Sequence, residues 1–172
     1  MLNRFLLLAL CLLSFSAHSE LTEEMKYGSV LLQINVAKFE EKQTECMSRV
    51  RDYRLPVEER EVLKKLDTSI SKGLYFLYKK SFDDCTQPEL FELSQTLLQL
   101  QELNKKENNK IINEQIRLIR QLVFTGSDIS NQRFYDSLSE FEKEILESIP
   151  SFKKPFDSLQ VLDVIQSFSQ AE

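Results

Sequence analysis

Cys46 and Cys85, a scatter of arginines and lysines, and one histidine are the residues of this chain whose types could do chemistry. Two thiols can close a disulfide, or each can sit alone as a small core residue. Arginine and lysine can hold a developing negative charge without a cofactor. An imidazole could move protons or bind zinc. The single histidine, His18, however, lies in the stretch that decides where any of this happens: residues 6–20, LLLALCLLSFSAHSE.

Arg4 precedes an apolar run over residues 5–13, and Ala17 and Ser19 flank His18 in the small-x-small pattern of a leader cleavage site. The run is far shorter than the ~20 apolar residues needed to cross a bilayer. Lipid attachment at Cys11 would need a small residue before it, but Leu10 stands there, and Cys11 lies inside the run. The expectation is a leader over residues 1–19, cleaved to expose Glu20, and a single domain over residues 20–172 with no membrane span. His18 leaves with the leader, and with it go Ser-His-Asp hydrolysis and His-ligated zinc. Cys46 and Cys85 remain as an even pair in an oxidising compartment, so one disulfide between them is expected; two unrelated buried thiols are the alternative. No Asn-x-Ser/Thr sequon occurs, which favours a bacterial periplasm over a glycosylated secretory route.

Losing Arg4 leaves 21 basic against 27 acidic residues, a formal charge of −6 on 153 residues. An acidic chain without a dense basic stripe does not suit nucleic acid. No Gly-rich phosphate loop, Gly-x-Ser-x-Gly elbow or Cys-x-x-Cys is present, so no cofactor and no metal is expected. Asp83 and Asp84 could hold a cation, but they read better as a solvated turn.

Two sets of cations stand out. Arg49, Arg51 and Arg54 fall at the end of a first predicted helix, where positive charge suits the dipole. Lys110, Arg117 and Arg120 lie on the polar side of a fourth, with exposed ion pairing to an acidic fifth helix (Asp136, Glu140, Glu144, Glu147) as the expected arrangement. Lys38, Arg49 and Arg60, around Leu55 and Pro56, also have a spacing loosely similar to that of secreted chorismate mutases, all-α enzymes that hold a small dianion with Arg and Lys. The likeness covers fewer than thirty residues, and Lys38 stands where that family has its first arginine.

These residues must be carried by helices. Thr22 can cap a first one, with Glu23 and Glu24 in its first turn. Met25, Leu32, Val36, Phe39, Cys46 and Val50 recur in helical steps. Val30, Leu32, Ile34 and Val36 also alternate as a strand would, but the helical period continues past them. Pro56 opens a second helix through Leu63, Leu66, Ile70 and Leu74. Thr86 and Glu89 are spaced as a capping box for a third, and residues 104–110, NKKENNK, break the pattern. Ile112, Ile116, Ile119 and Val123 mark a fourth, with Gly126 as its C-terminal cap. A fifth runs from Asp128 or Ser130 to Ile149, and a short sixth follows Pro155. The predicted fold is an all-α, single-domain bundle of five to six helices with one disulfide.

The disulfide constrains the second helix. A straight hairpin turning at Pro56 puts Cys46 about 12 Å before the turn and Lys80 about 36 Å beyond it. Residues 81–85 recover at most roughly 17 Å, and a bridge needs Cα atoms within about 7 Å. A bend near residues 71–73, where Ser71 and Gly73 weaken the helix, is therefore expected with the bridge.

Residues 149–156, IPSFKKPF, place Phe152, Lys153, Lys154 and Phe156 between prolines. Such a turn is stiff, and aromatic anchors beside cations suit a protein-binding site. The competing arrangement tucks both rings beneath the last helix and leaves the lysines in water. The expected function is non-enzymatic: a periplasmic or secreted helical protein that binds a protein partner, as an adaptor, chaperone-like factor or immunity-type inhibitor. A secreted Arg/Lys-based enzyme of the chorismate-mutase kind and a secreted helical signalling protein are the alternatives.

Overall fold

A computed structural model describes residues 21–124 and 128–169. The expected leader over residues 1–19 and the cap expected at Gly126 lie outside the described residues. Eight α-helices and two short 3-10 turns account for nearly all of the described chain, with no strand among those residues. The fold is all-α, but the bundle holds eight helices where five to six were expected.

The first helix, α1 (Glu23–Asp52), starts where the sequence places it, with Thr22 Oγ1 accepting from Met25 N at 3.3 Å. It stays helical through Val30 and Ile34: Leu32, Asn35 and Phe39 are buried at helical steps, and Val30 and Ile34 are exposed. Arg54 closes its far end, Nη1 donating to the carbonyls of Arg51 (3.2 Å) and Tyr53 (2.6 Å). These are the last-turn carbonyls that a helix leaves without partners.

The predicted second helix is two helices, α2 (Val57–Leu63) and α3 (Ser71–Thr86), joined by a 3-10 turn, Thr68–Ile70. Asp67 makes the break, its Oδ1 accepting from Ser69 N at 2.6 Å. The interruption expected at residues 71–73 thus falls earlier, at 64–70, and Ser71 begins the new helix. Gly73 is not a bend. It is buried inside α3, where an added Cβ would stand 2.7 Å from Leu138 Cδ1, so its bare backbone admits Leu138 and the Tyr135 ring.

Helix α4 (Glu89–Glu107) follows a cis Gln87–Pro88 bond. The predicted box at Thr86 and Glu89 does not form; Thr86 closes α3 instead, its hydroxyl donating to the Asp83 carbonyl at 3.0 Å. The polar break at 104–110 is a tight corner into α5 (Lys110–Val123), with Asn108 in the left-handed region (φ 47°). Asn104 is 2% exposed, donating to the Asn109 carbonyl (3.1 Å) and to Asn113 Oδ1 (2.8 Å). The predicted fifth helix is likewise two, α6 (Asp128–Asp136) and α7 (Glu140–Ser148). A capping box at Ser139 separates them: Ser139 Oγ accepts from Glu142 N (3.3 Å), and Glu142 Oε2 accepts from Ser139 N (2.8 Å). A second 3-10 turn, Pro150–Lys153, leads to α8 (Ser158–Ser169).

The buried apolar residues form two clusters. In one, Met25, Leu32 and Phe39 of α1 meet Leu93, Leu97 and Leu100 of α4 and Ile112 and Ile116 of α5. Helices α1 and α4 run antiparallel: Lys38 reaches Glu92, Asn35 reaches Thr96, and Gly28 lies against Leu100. Two polar pairs cross this cluster, Asn35 Nδ2 to Thr96 Oγ1 at 2.8 Å and Ser29 Oγ to Gln115 Oε1 at 2.9 Å. The second cluster gathers Leu63, Ile70, Leu74, Leu146, Phe156 and Ile165 around α3. Helix α1 also packs on α3, and there Cys46 and Cys85 stand at disulfide distance, sulfur to sulfur 2.05 Å and Cα to Cα 6.1 Å. The break before Ser71 makes this possible, because no straight rod carries Cys85 away from the turn. Among the described residues no helix is long and apolar enough to cross a membrane.

Candidate functional site

The turn at 149–156 is the most tightly built of the sequence-predicted sites, and its rings face inward. Phe156 is fully buried and Phe152 is 5% exposed. The two stack at 4.4 Å between centroids, and Phe156 also meets Tyr78 edge-on at 6.1 Å and Tyr53 at 6.0 Å. Pro155 is buried as well, and Lys153 and Lys154 face solvent. The structure thus takes the arrangement in which both rings tuck inward and the lysines face water, and of the four candidate residues it leaves only Lys153 and Lys154 exposed. The physical reason is the large apolar area of each ring, which the gap beneath α8 is shaped to take.

Polar groups far apart in the sequence hold this turn. The Ser151 amide donates to Glu59 Oε1 at 3.3 Å, and the Ser151 hydroxyl donates to the same carboxylate. With that hydroxyl proton committed, the Tyr53 O–H donates to Ser151 Oγ at 3.0 Å. Burial is the largest of the effects that push the Tyr53 phenol up to about 12, and the nearby Glu59 and Asp157 charges add to it. A raised phenol pKa means the folded state holds a proton that the unfolded chain releases near 10. Stability is then full below pH 10 and falls as pH rises toward 12. Tyr53→Phe is expected to make this alkaline fall shallower in thermal melts taken across that range. A fall of unchanged steepness would refute the assignment.

The cations take separate partners. Arg49 pairs with Glu45, whose carboxyl is held below its ordinary range chiefly by the Lys42 hydrogen bond. Lys38 pairs with Glu92 at 3.3 Å, and Arg60 Nε donates to the Leu55 carbonyl at 3.3 Å. On α5, Arg117 binds Glu114 through Nε (2.8 Å) and Nη2, and Gln121 Oε1 through Nη1 (2.8 Å). That bond to Glu114 is the largest cause raising the arginine's pKa and lowering the glutamate's. Among the described residues no ion pair joins Lys110, Arg117 or Arg120 to the acids of α6 and α7, contrary to expectation. The reason is architectural: α5 packs on α4, while α6 packs on α3. Glu147 instead accepts from the Tyr135 hydroxyl at 2.7 Å, and burial is the main cause raising that phenol's pKa.

Among the described residues the surface is grooved in at least two places. One, of about 360 Å³, lies between α4 and α5 and is lined by Gln101, Asn113, Ile116, Arg117, Arg120 and Gln121. Another, of about 250 Å³, lies between α3 and α6 and includes Phe76, Lys79, Asp83 and Ile129. Asp83, weighed above as a cation ligand, is paired with Lys79. Among the described residues no three His, Cys, Asp or Glu side chains are grouped to hold a metal. Sequence reasoning singled out the arginines of the first groove but not the amides beside them, and it missed the tie from Glu59 to Ser151. Compared with protein families, with curated proteins and with solved structures, the chain finds no match.

Proposed function

We propose that this is an exported, periplasmic helical protein that holds a protein partner and is not an enzyme. The observation that carries the reading is the outer face of α1, where Tyr27, Val30 and Ile34 are 70%, 54% and 48% exposed. Their spacing puts them on one stripe, opposite buried Leu32 and Phe39. Singly exposed apolar residues need no explanation, but a contiguous stripe on a long helix is the composition of a docking face. Cys46 and Cys85, placed to bridge, support an oxidising compartment.

The test is capture from periplasmic extract by the wild-type protein and by Val30→Glu/Ile34→Glu, with melting temperature read alongside. The expected result is a defined partner on the wild type, lost in the variant at unchanged melting temperature. Equal capture by both would move the docking face elsewhere, and no partner under either condition would remove the function. Intact mass of the exported protein is expected to begin at Glu20 without acyl chains. Conversion of chorismate to prephenate above background would overturn the non-enzymatic reading.

A further inference from the structure

The groove between α4 and α5 has a chemistry that the stripe on α1 does not. Helix α5 carries Lys110, Arg117 and Arg120 against Glu114 alone, on a chain whose formal charge is −5. Arg117 is fixed in place by Glu114 and Gln121. Because Gln121 Oε1 accepts from Arg117, its NH₂ remains as a donor. Arg120, one turn along the same wall, forms no ion pair among the described residues and brings a further fork of N–H groups. Gln101 faces them from α4, and Ile116, 6% exposed, forms the apolar floor. Donors outnumber acceptors, so the matching occupant accepts hydrogen bonds and carries negative charge. Exposed apolar side chains lie near the lining residues in the sequence. Leu98, one turn before Gln101, is 67% exposed, and Phe124, one turn after Arg120, is 46% exposed.

We propose that this groove receives an aspartate or glutamate side chain of a protein partner, set between apolar residues that cover Leu98 and Phe124. Charge complementarity supplies the argument for the occupant: a carboxylate binds the Arg120 fork in two parallel hydrogen bonds, and the groove's size is at the small end of the roughly 300–1,000 Å³ typical of ligand sites. The proposal rests on the partner-binding function but not on the α1 stripe. Being near the surface, the contact weakens as salt rises.

The probe is a pair of short capped peptides, one with a glutamate between leucines and one with glutamine in its place. They are titrated into the isotopically labelled exported protein and read by amide and arginine side-chain chemical shifts. The glutamate peptide is expected to move the signals of Gln101, Arg120 and Gln121, and the glutamine peptide to bind at least about tenfold more weakly, as for loss of a hydrogen bond to a charged group. Arg120→Glu is expected to abolish the shifts while the helical signals stay in place; Arg120→Gln serves if reversal disturbs the helix. Equal binding of the two peptides, shifts confined to other surfaces, or acetate acting as strongly as the peptide would each overturn the proposal. A partner captured equally by wild-type and Arg120→Glu protein overturns it too, and leaves the partner-binding function standing. Peptide binding at the groove with no partner captured from extract keeps the site and removes the function.

Discussion

Phe156→Ala is expected to lose about 3–5 kcal/mol of stability, the range for emptying a packed aromatic site. Phe156 is fully buried and touches three rings, Phe152, Tyr78 and Tyr53, from three separate segments. Its loss therefore opens a cavity where α1, α3 and the last 3-10 turn meet. Phe152→Ala removes one stacked neighbour from a slightly less buried place and is expected to cost less. Lys153→Ala and Lys154→Ala are expected to stay within about 0.5 kcal/mol, as exposed substitutions do. Urea unfolding midpoints measure all four. A Phe156→Ala protein with an unchanged midpoint would mean that the ring spends its time outside the core, and the turn would again be a candidate docking site.

Cys46→Ala/Cys85→Ala is expected to cost about 4 kcal/mol in the chain-entropy account of a loop this long, the two cysteines being 39 residues apart. Wild-type protein unfolded in reductant is expected to show a similar loss. Cys46 is completely buried and Cys85 only partly, so reductant reaches the pair from the Cys85 side. The bridge joins α1 to α3 between the two apolar clusters, so its removal is expected to lower the cooperativity of unfolding as well as its midpoint. Two thiols alkylated in the native protein would refute the bridge.

The all-α class was legible because apolar residues recur in steps of three and four, and α1 and α5 follow those steps closely. The exact place of the first break, and the second break altogether, were hidden by the same signal. Val62, Leu63, Leu66, Ile70 and Leu74 keep helical phase straight through the interruption, and Phe134, Leu138, Phe141 and Ile145 do so through the next. Periodicity cannot register a turn that preserves phase; caps can. Ser139 and Glu142 had the spacing of a capping box and formed one, while Thr86 and Glu89 had the same spacing with Pro88 between them and did not. Here the helix begins after the proline, and Thr86 is left to close the helix before it. The site was less legible. Composition marked the turn at 149–156 but could not say which way Phe152 and Phe156 point. The bond from Glu59 to Ser151 joins residues 92 positions apart, and no local pattern records it.

The hydrogen bond between Asn35 and Thr96 also sets where α1 can rest along α4. A seam of leucine, methionine and phenylalanine alone tolerates sliding, because one turn of displacement, about 5.4 Å, exchanges apolar neighbours for apolar neighbours. Here a slide one way carries Asn35 toward Leu100 and Thr96 toward Phe39, and a slide the other way carries Asn35 toward Glu92 and Thr96 toward Leu31. The slide toward Leu100 strands the buried Asn35 amide at about 1–3 kcal/mol, and either slide takes Leu100 from the hollow it finds at Gly28. The pair thus works as a detent, discouraging helix slippage that the greasy surfaces around it would otherwise permit.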